Sequence, residues 1–135
     1  MTYSIKEVSE ITGLPSSTLR YYEKEGLIPA VDRNDAGVRV FTNEDLEWIS
    51  IVTCLKNTDM PIREIKTFVA LCAHGDETLE ERRKIVLNHK KNVENKIAKL
   101  QYHLEHINFK ADYYEAACKA GTESELKKVK YPDPF

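Results

Sequence analysis

The sequence predicts a mainly α fold: an N-terminal winged helix-turn-helix with a small β-hairpin wing, then one long coiled-coil helix. Three observations carry this. Two short helical segments, one over 4–12 and one from Ser16 that stops at Gly26, are joined through Gly13. Two short helices across a tight, Gly-containing turn form a helix-turn-helix. A polar, Gly-bearing stretch at 30–41 follows. From 77 to 117 there is no Gly and no Pro, and apolar residues recur every seventh position, as in a coiled coil.

The elements follow in order. Residues 1–4, with Tyr3 apolar, suit one edge strand. Ser4 and Glu7 have capping-box spacing for the first helix. Ile5, Val8 and Ile11 fall on one of its faces, and Leu14 and Leu19 complete a small core. Pro15 stands where the second helix begins, as its fixed φ and missing donor allow. That helix sets Arg20 beside Tyr21 and Tyr22, with Thr18 two residues earlier. Arginine can fork onto a phosphate or a guanine edge, and Thr and Tyr hydroxyls can donate to phosphates. The same residues also suit a solvated amphipathic helix with two half-buried tyrosines.

Asn34, Asp35 and Gly37 separate Val31 from the Val38–Val40 alternation, which reads as a hairpin with Arg33 and Arg39 on either side of its turn. Thr42 or Asn43 caps a third helix, with Glu44 or Asp45 in its first turn. Leu46, Ile49, Ile51, Val52 and Leu55 predict that this helix is largely buried, with Trp48 the bulkiest core candidate; it ends near Asn57. Pro61 opens a fourth helix carrying Ile62, Ile65, Phe68, Val69 and Leu71, and residues 73–76 break it.

In the long segment Val86, Val93, Leu100, Ile107 and Tyr114 form one seam, and Ile97, Leu104 and Ala111 fill its companion. One such helix cannot bury its stripe on a small N-terminal domain. A second copy of the chain is the simplest partner, since most oligomers are symmetric dimers. His89, His103 and His106 alternate with Lys and Glu and are expected in solvent. In the tail, Tyr131 and Phe135 either dock on the dimer or belong to a loose segment.

Composition narrows the classes. The 135 residues carry 31% charged side chains and a net charge of −2. Any attraction to DNA must therefore be local, because phosphate contacts supply much of the affinity. Three widely spaced cysteines form no CxxC pair and no disulfide framework. There is no signal peptide and no membrane-length apolar run, so a reduced cytoplasmic setting is the default expectation. No catalytic constellation or phosphate-cradling loop appears, and neither an enzyme nor a cofactor is expected.

Four strings, IKEVSEITG (5–13), TLRYYEKEGLIP (18–29), RNDAGVRVF (33–41) and NEDL (43–46), resemble the MerR family of transcriptional regulators. The resemblance implies a DNA-binding domain over 1–73, an antiparallel dimerisation helix over 77–117 and a short tail over 118–135. It places Thr18, Arg20, Tyr21 and Tyr22 at the major groove of double-stranded promoter DNA, with Ser17 and Lys24 on phosphate. Arg33 and Arg39 would grip the flanking backbone from the wing. A homodimer would read an inverted repeat and bend and underwind the promoter, so that RNA polymerase engages both of its elements. The wing departs from the family pattern: Val38 replaces an aromatic, Val40 an arginine and Phe41 a tyrosine.

The resemblance also bears on the signal. Family members that respond to reactive aldehydes or nitrosative stress carry a cysteine at what looks like the place of Cys54. Lys56 and Arg63 are near it in sequence, and cations favour a thiolate. A buried core cysteine is the competing reading. Soft-metal sensing is a second alternative: Cys72, near His74, would meet Cys118 of a second subunit, although both thiols also read as small buried hydrophobes. A third alternative is a coiled-coil interaction module that does not bind DNA, and a fourth is an effector-binding protein acting on a small molecule, against which the short tail argues.

Overall fold

The computed structural model describes residues 1–132; Phe135 lies outside them. Helix α1 (Ile5–Thr12) starts where Ser4 Oγ accepts from the Glu7 N–H at 3.1 Å, while the Glu7 carboxylate accepts from the Ser4 N–H at 3.1 Å. It ends at Gly13, whose φ of 75° lets its N–H donate to the Ser9 carbonyl at 2.9 Å. A side chain at that φ would be strained. After Pro15 the chain turns straight into α2 (Ser16–Lys24).

Strands β2 (Asp32–Arg33) and β3 (Arg39–Thr42) form the hairpin, with Arg33 opposite Arg39. Asn34 Oδ1 closes its turn by accepting from the Ala36 and Val38 N–H groups, each at 3.0 Å. Strand β1 (Thr2–Tyr3) pairs with the other edge of β3, giving an antiparallel sheet in the order β1-β3-β2. Thr42 and Asp45 form a second capping box and launch α3 (Asn43–Asn57). Helix α4 (Ile62–Ala73) follows Pro61. A 3-10 turn, Gly75–Thr78, leads into α5 (Leu79–Ala120). Thr78 Oγ1 donates to the Leu71 carbonyl at 2.6 Å, which pins that joint.

The described chain forms two compact units, Met1–His89 and a second from Lys90 onward. The core of the first unit joins Val8, Leu19, Tyr22, Leu27, Phe41, Ile49, Val52 and Ile65, with Ile85 from the start of α5 packed against it. Three expectations change here. Ile11 is 59% exposed, because two successive steps of three residues drift about 120° off the Ile5 direction in a helix of 3.6 residues per turn. Ile51 is exposed and Trp48 only half-buried, so the largest fully buried side chain is Phe41. His89 is half-buried, its Nε2 lying 2.7 Å from Thr58 Oγ1, and is therefore not a solvated histidine.

In the second unit no residue of α5 is buried. Ile97, Leu100 and Ile107 are 60–68% exposed, and Leu104, Ala111 and Tyr114 share that exposure class. His106 also departs from expectation: the Tyr131 ring stacks on it at 4.0 Å with the planes 7° apart, and meets Phe109 edge-on at 5.4 Å. Tyr131 is thus fastened to α5 of its own chain, and the Tyr113 hydroxyl adds a hydrogen bond to Glu123 at 3.0 Å.

Replacing Phe41 with Ala is expected to destabilise the first unit by about 3–5 kcal/mol, since a buried aromatic leaves a cavity that cannot fully collapse. Urea unfolding followed by circular dichroism measures this directly.

Candidate nucleic-acid interface

Four of the residues picked from the sequence share one solvent-facing stripe of α2. Ser17, Arg20, Tyr21 and Lys24 are all exposed, and the spacing i, i+3, i+4, i+7 sets them on one helix face. Leu19 and Tyr22 point the other way, at 0% and 2% exposure. The tyrosine pair therefore divides its work. Adjacent helix positions lie about 100° apart, so both rings cannot face outward: Tyr21 does, and Tyr22 is a core ring. Thr18 is half-buried at the edge of the stripe. The face presents a hydroxyl, a guanidinium, a phenol and an ammonium in one row, a set suited to phosphate oxygens and base edges.

The wing arginines are tied to α2 by a residue not singled out from sequence. Glu23 Oε1 accepts from Arg39 Nε at 2.7 Å and lies 3.9 Å from Arg33 Nη2, while Oε2 accepts from the Val31 N–H at 2.6 Å. Arg33 also donates to the Gly37 carbonyl at 3.1 Å, within its own turn. Arg39 is 24% exposed and turned toward α2, whereas Arg33 is 47% exposed. The two guanidiniums brace the hairpin first, and Arg33 keeps the freer reach. Burial alone would raise the Glu23 pKa. The Arg39 hydrogen bond, the Val31 N–H and the two positive charges outweigh it and hold the carboxyl below its ordinary value.

A further cation joins this region from α3. Lys56 Nζ lies 5.1 Å from the Tyr22 ring centroid and 5.9 Å from that of Tyr21, within cation–π range. Its sequence distance from the tyrosines hides this. Lys56 was expected to act on Cys54, but positions two apart on a helix do not face each other, and Lys56 faces the tyrosines. Cys54 itself is exposed rather than buried.

Residues 3–71 match the family profile described as MerR HTH family regulatory protein, and residues 46–108 match the profile described as MerR, DNA binding. An uncharacterized HTH-type transcriptional regulator of Haemophilus influenzae is 39% identical over 98% of both chains. The chain belongs to the MerR family of DNA-binding transcription regulators. Its fold matches the crystal structure of HiNmlR, a MerR family regulator lacking the sensor domain, bound to promoter DNA. The TM-score is 0.85 at 41% identity, covering 93% of this chain and 99% of that one. A putative MerR family regulator from Listeria monocytogenes aligns with a TM-score of 0.82 at 36% identity, over 93% and 95% of the two chains. AdhR of Bacillus subtilis is 37% identical over 67% of this chain and 64% of its own. These relatives are regulators, not enzymes. No helix of the described residues is long and apolar enough to cross a membrane.

Against the MerR pattern, Phe41 is 1% exposed and serves the core, while Val38 is 54% exposed at the wing tip. Within one chain Cys72 is half-buried and Cys118 exposed. Among the described residues no group of three or more His, Cys, Asp or Glu side chains is placed to hold a metal ion within one chain.

Glu23→Gln is expected to loosen the wing from α2 and lower stability by about 1–2 kcal/mol. The parent's contribution from Glu23 is fully present above the ordinary glutamate value of 4.5 and is lost as pH falls through the lowered folded value. Stability measured from pH 7 downward should therefore converge for the two proteins in acid.

Proposed function

We propose that this chain is a homodimeric regulator that binds an inverted-repeat promoter site and distorts the DNA. The observation that carries the reading is the outward row of Ser17, Arg20, Tyr21 and Lys24 on α2, braced against the wing through Glu23. The likeness to a relative crystallised on promoter DNA supports it. In this reading α2 enters the major groove, Arg33 meets the flanking backbone, and Arg39 keeps the wing in place. The apolar stripe of α5, with Val86, Ile97, Leu100, Leu104, Ile107, Ala111 and Tyr114 exposed and Val93 half-buried, pairs antiparallel with the same helix of a second copy. Two-fold symmetry then demands two half-sites. Bending and underwinding the duplex costs elastic energy, which the added backbone contacts offset, and RNA polymerase works on the reshaped promoter.

The signal we assign is a thiol-reactive one, read by Cys54. Its exposed thiol sits one turn from the end of α3. An aldehyde would form a carbon–sulfur bond there, the thiol proton ending on the new hydroxyl. The Cys54 carbonyl accepts from Thr58 Oγ1 at 2.8 Å, and Thr58 Oγ1 lies 2.7 Å from His89 Nε2 on α5. Lys56, two residues on, reaches the α2 tyrosines. A disturbance of this last turn is therefore felt by the DNA-facing helix and by the start of α5.

Arg20→Ala should weaken operator binding by roughly tenfold or more, the worth of one good bidentate contact, with an unchanged circular dichroism spectrum. Gel-shift titrations of parent and variant decide it, and equal affinities would remove α2 from the DNA. Sedimentation should find two chains together, with preference for a palindromic site over random duplex. Cys54→Ser should abolish the transcriptional response to aldehyde or diamide; a response identical to the parent's would end the thiol assignment.

A further inference from the structure

The later turns of α5 and the tail that folds back on them enclose a cavity of about 340 Å³ within the second unit. That volume falls within the usual range for small-molecule sites. The α5 side is formed by Phe109 and Tyr113, four residues apart and half-buried. The tail side is formed by Val129 and by Tyr131, whose ring stacks on His106. Glu123 braces one edge: it accepts from the Tyr113 hydroxyl at 3.0 Å and pairs with Lys127 Nζ at 3.2 Å. The Tyr113 hydrogen bond and then that from Lys127 hold its pKa below the ordinary value, so it remains the counter-charge of Lys127 near neutral pH.

The charge left over is positive. Lys110, Lys127 and Lys130 line the cavity, and no carboxylate does. Glu123 balances Lys127. Lys110 Nζ lies 4.5 Å from the Tyr113 ring centroid, and among the described residues neither Lys110 nor Lys130 forms an ion pair with a carboxylate. The chain as a whole carries −2, so this excess is local. An ammonium is a compact point charge suited to phosphate, and aromatic walls favour a ligand that brings a ring. The cavity also lies away from the dimer seam. At 3.6 residues per turn, His106, Phe109 and Tyr113 face roughly 140° from the direction of Leu104, Ile107, Ala111 and Tyr114. Cys118, seven residues after Ala111, falls on the seam side. Pairing through the seam, and an approach of Cys118 to a second chain, therefore use the other side of the helix.

We propose that this cavity between α5 and the tail binds a small organic phosphate with a planar ring, of the nucleotide class, its phosphate held by Lys110 and Lys130 and its ring against Phe109, Tyr113 and Tyr131. A ligand there touches the helix and the tail together, so its binding fastens residues 126–131 to α5. The site shares no residue with the α2 stripe and does not include Cys54, so its failure would leave the reading of both intact.

Equilibrium dialysis of the full-length protein tests this, with adenosine monophosphate, adenosine and inorganic phosphate in parallel at one ionic strength. We expect saturable binding of the monophosphate, with adenosine and inorganic phosphate each about tenfold weaker or more. In the double variant Lys110→Gln, Lys130→Gln the monophosphate's Kd should rise about tenfold. Lys128→Gln should leave it unchanged, because Lys128 pairs with Glu125 at 3.2 Å and does not line the cavity. All three lysines are exposed, so these variants are expected to fold, and circular dichroism checks that they do. No binding of the monophosphate overturns the site. So does an unchanged Kd in the double variant, which puts the ligand elsewhere on the protein. Inorganic phosphate or adenosine binding as tightly as the monophosphate also overturns it, since the ring or the phosphate would then have no part.

Discussion

One carboxylate, that of Glu23, holds two separate segments in a common frame. It takes the Val31 N–H, which precedes the wing, and the Arg39 guanidinium, which leaves it. The wing is a ladder of two-residue and four-residue strands, too small to keep its own place. Phe41 and Val31 anchor its base in the core, and Glu23 ties that base to α2. In the proposed function the offset between the α2 stripe and the wing is what a duplex would read, and a half-buried ion pair helps to fix it. Each oxygen of the Glu23 carboxylate also accepts a hydrogen bond, which helps to make burying the charge tolerable.

Much of this was legible from residue order. The capping box at Ser4–Glu7 has a fixed spacing and the structure forms it; of the two cap candidates for α3, Thr42 is the cap, with Asp45 completing a box not read from the sequence. Gly13, Pro15 and Pro61 mark the joints they were expected to mark. These are local rules, and local rules survive folding. Ile11 and Ile51 were misplaced for the opposite reason, while Trp48 packs against the core but is only partly covered: which side of an apolar helix finds a neighbour is a long-range matter. Helix α3 has apolar residues on nearly every side, so periodicity cannot choose its buried face.

The candidate interface was legible in residue types and less so in geometry. The stripe at 17, 20, 21 and 24 follows from helical spacing alone. That Tyr22 turns inward follows from the same spacing once Leu19 is placed in the core. Glu23 and Lys56 act across 16 residues to Arg39 and 34 or 35 to the tyrosines, and no pattern in the chain announces either contact. His89 and His106 were read as solvated because their neighbours are charged. Each finds a tertiary partner, Thr58 and Tyr131, that sequence proximity cannot supply.

The unbroken run of α5 has a consequence for how this gene can drift. A single codon gained or lost within Leu79–Ala120 would rotate every later side chain by about 100°. Charged flanks would swing into the place of the apolar seam, while the helix itself would remain a good helix. Length changes in this segment should therefore survive only in whole heptads, and close variants should differ here by substitution far more often than by insertion.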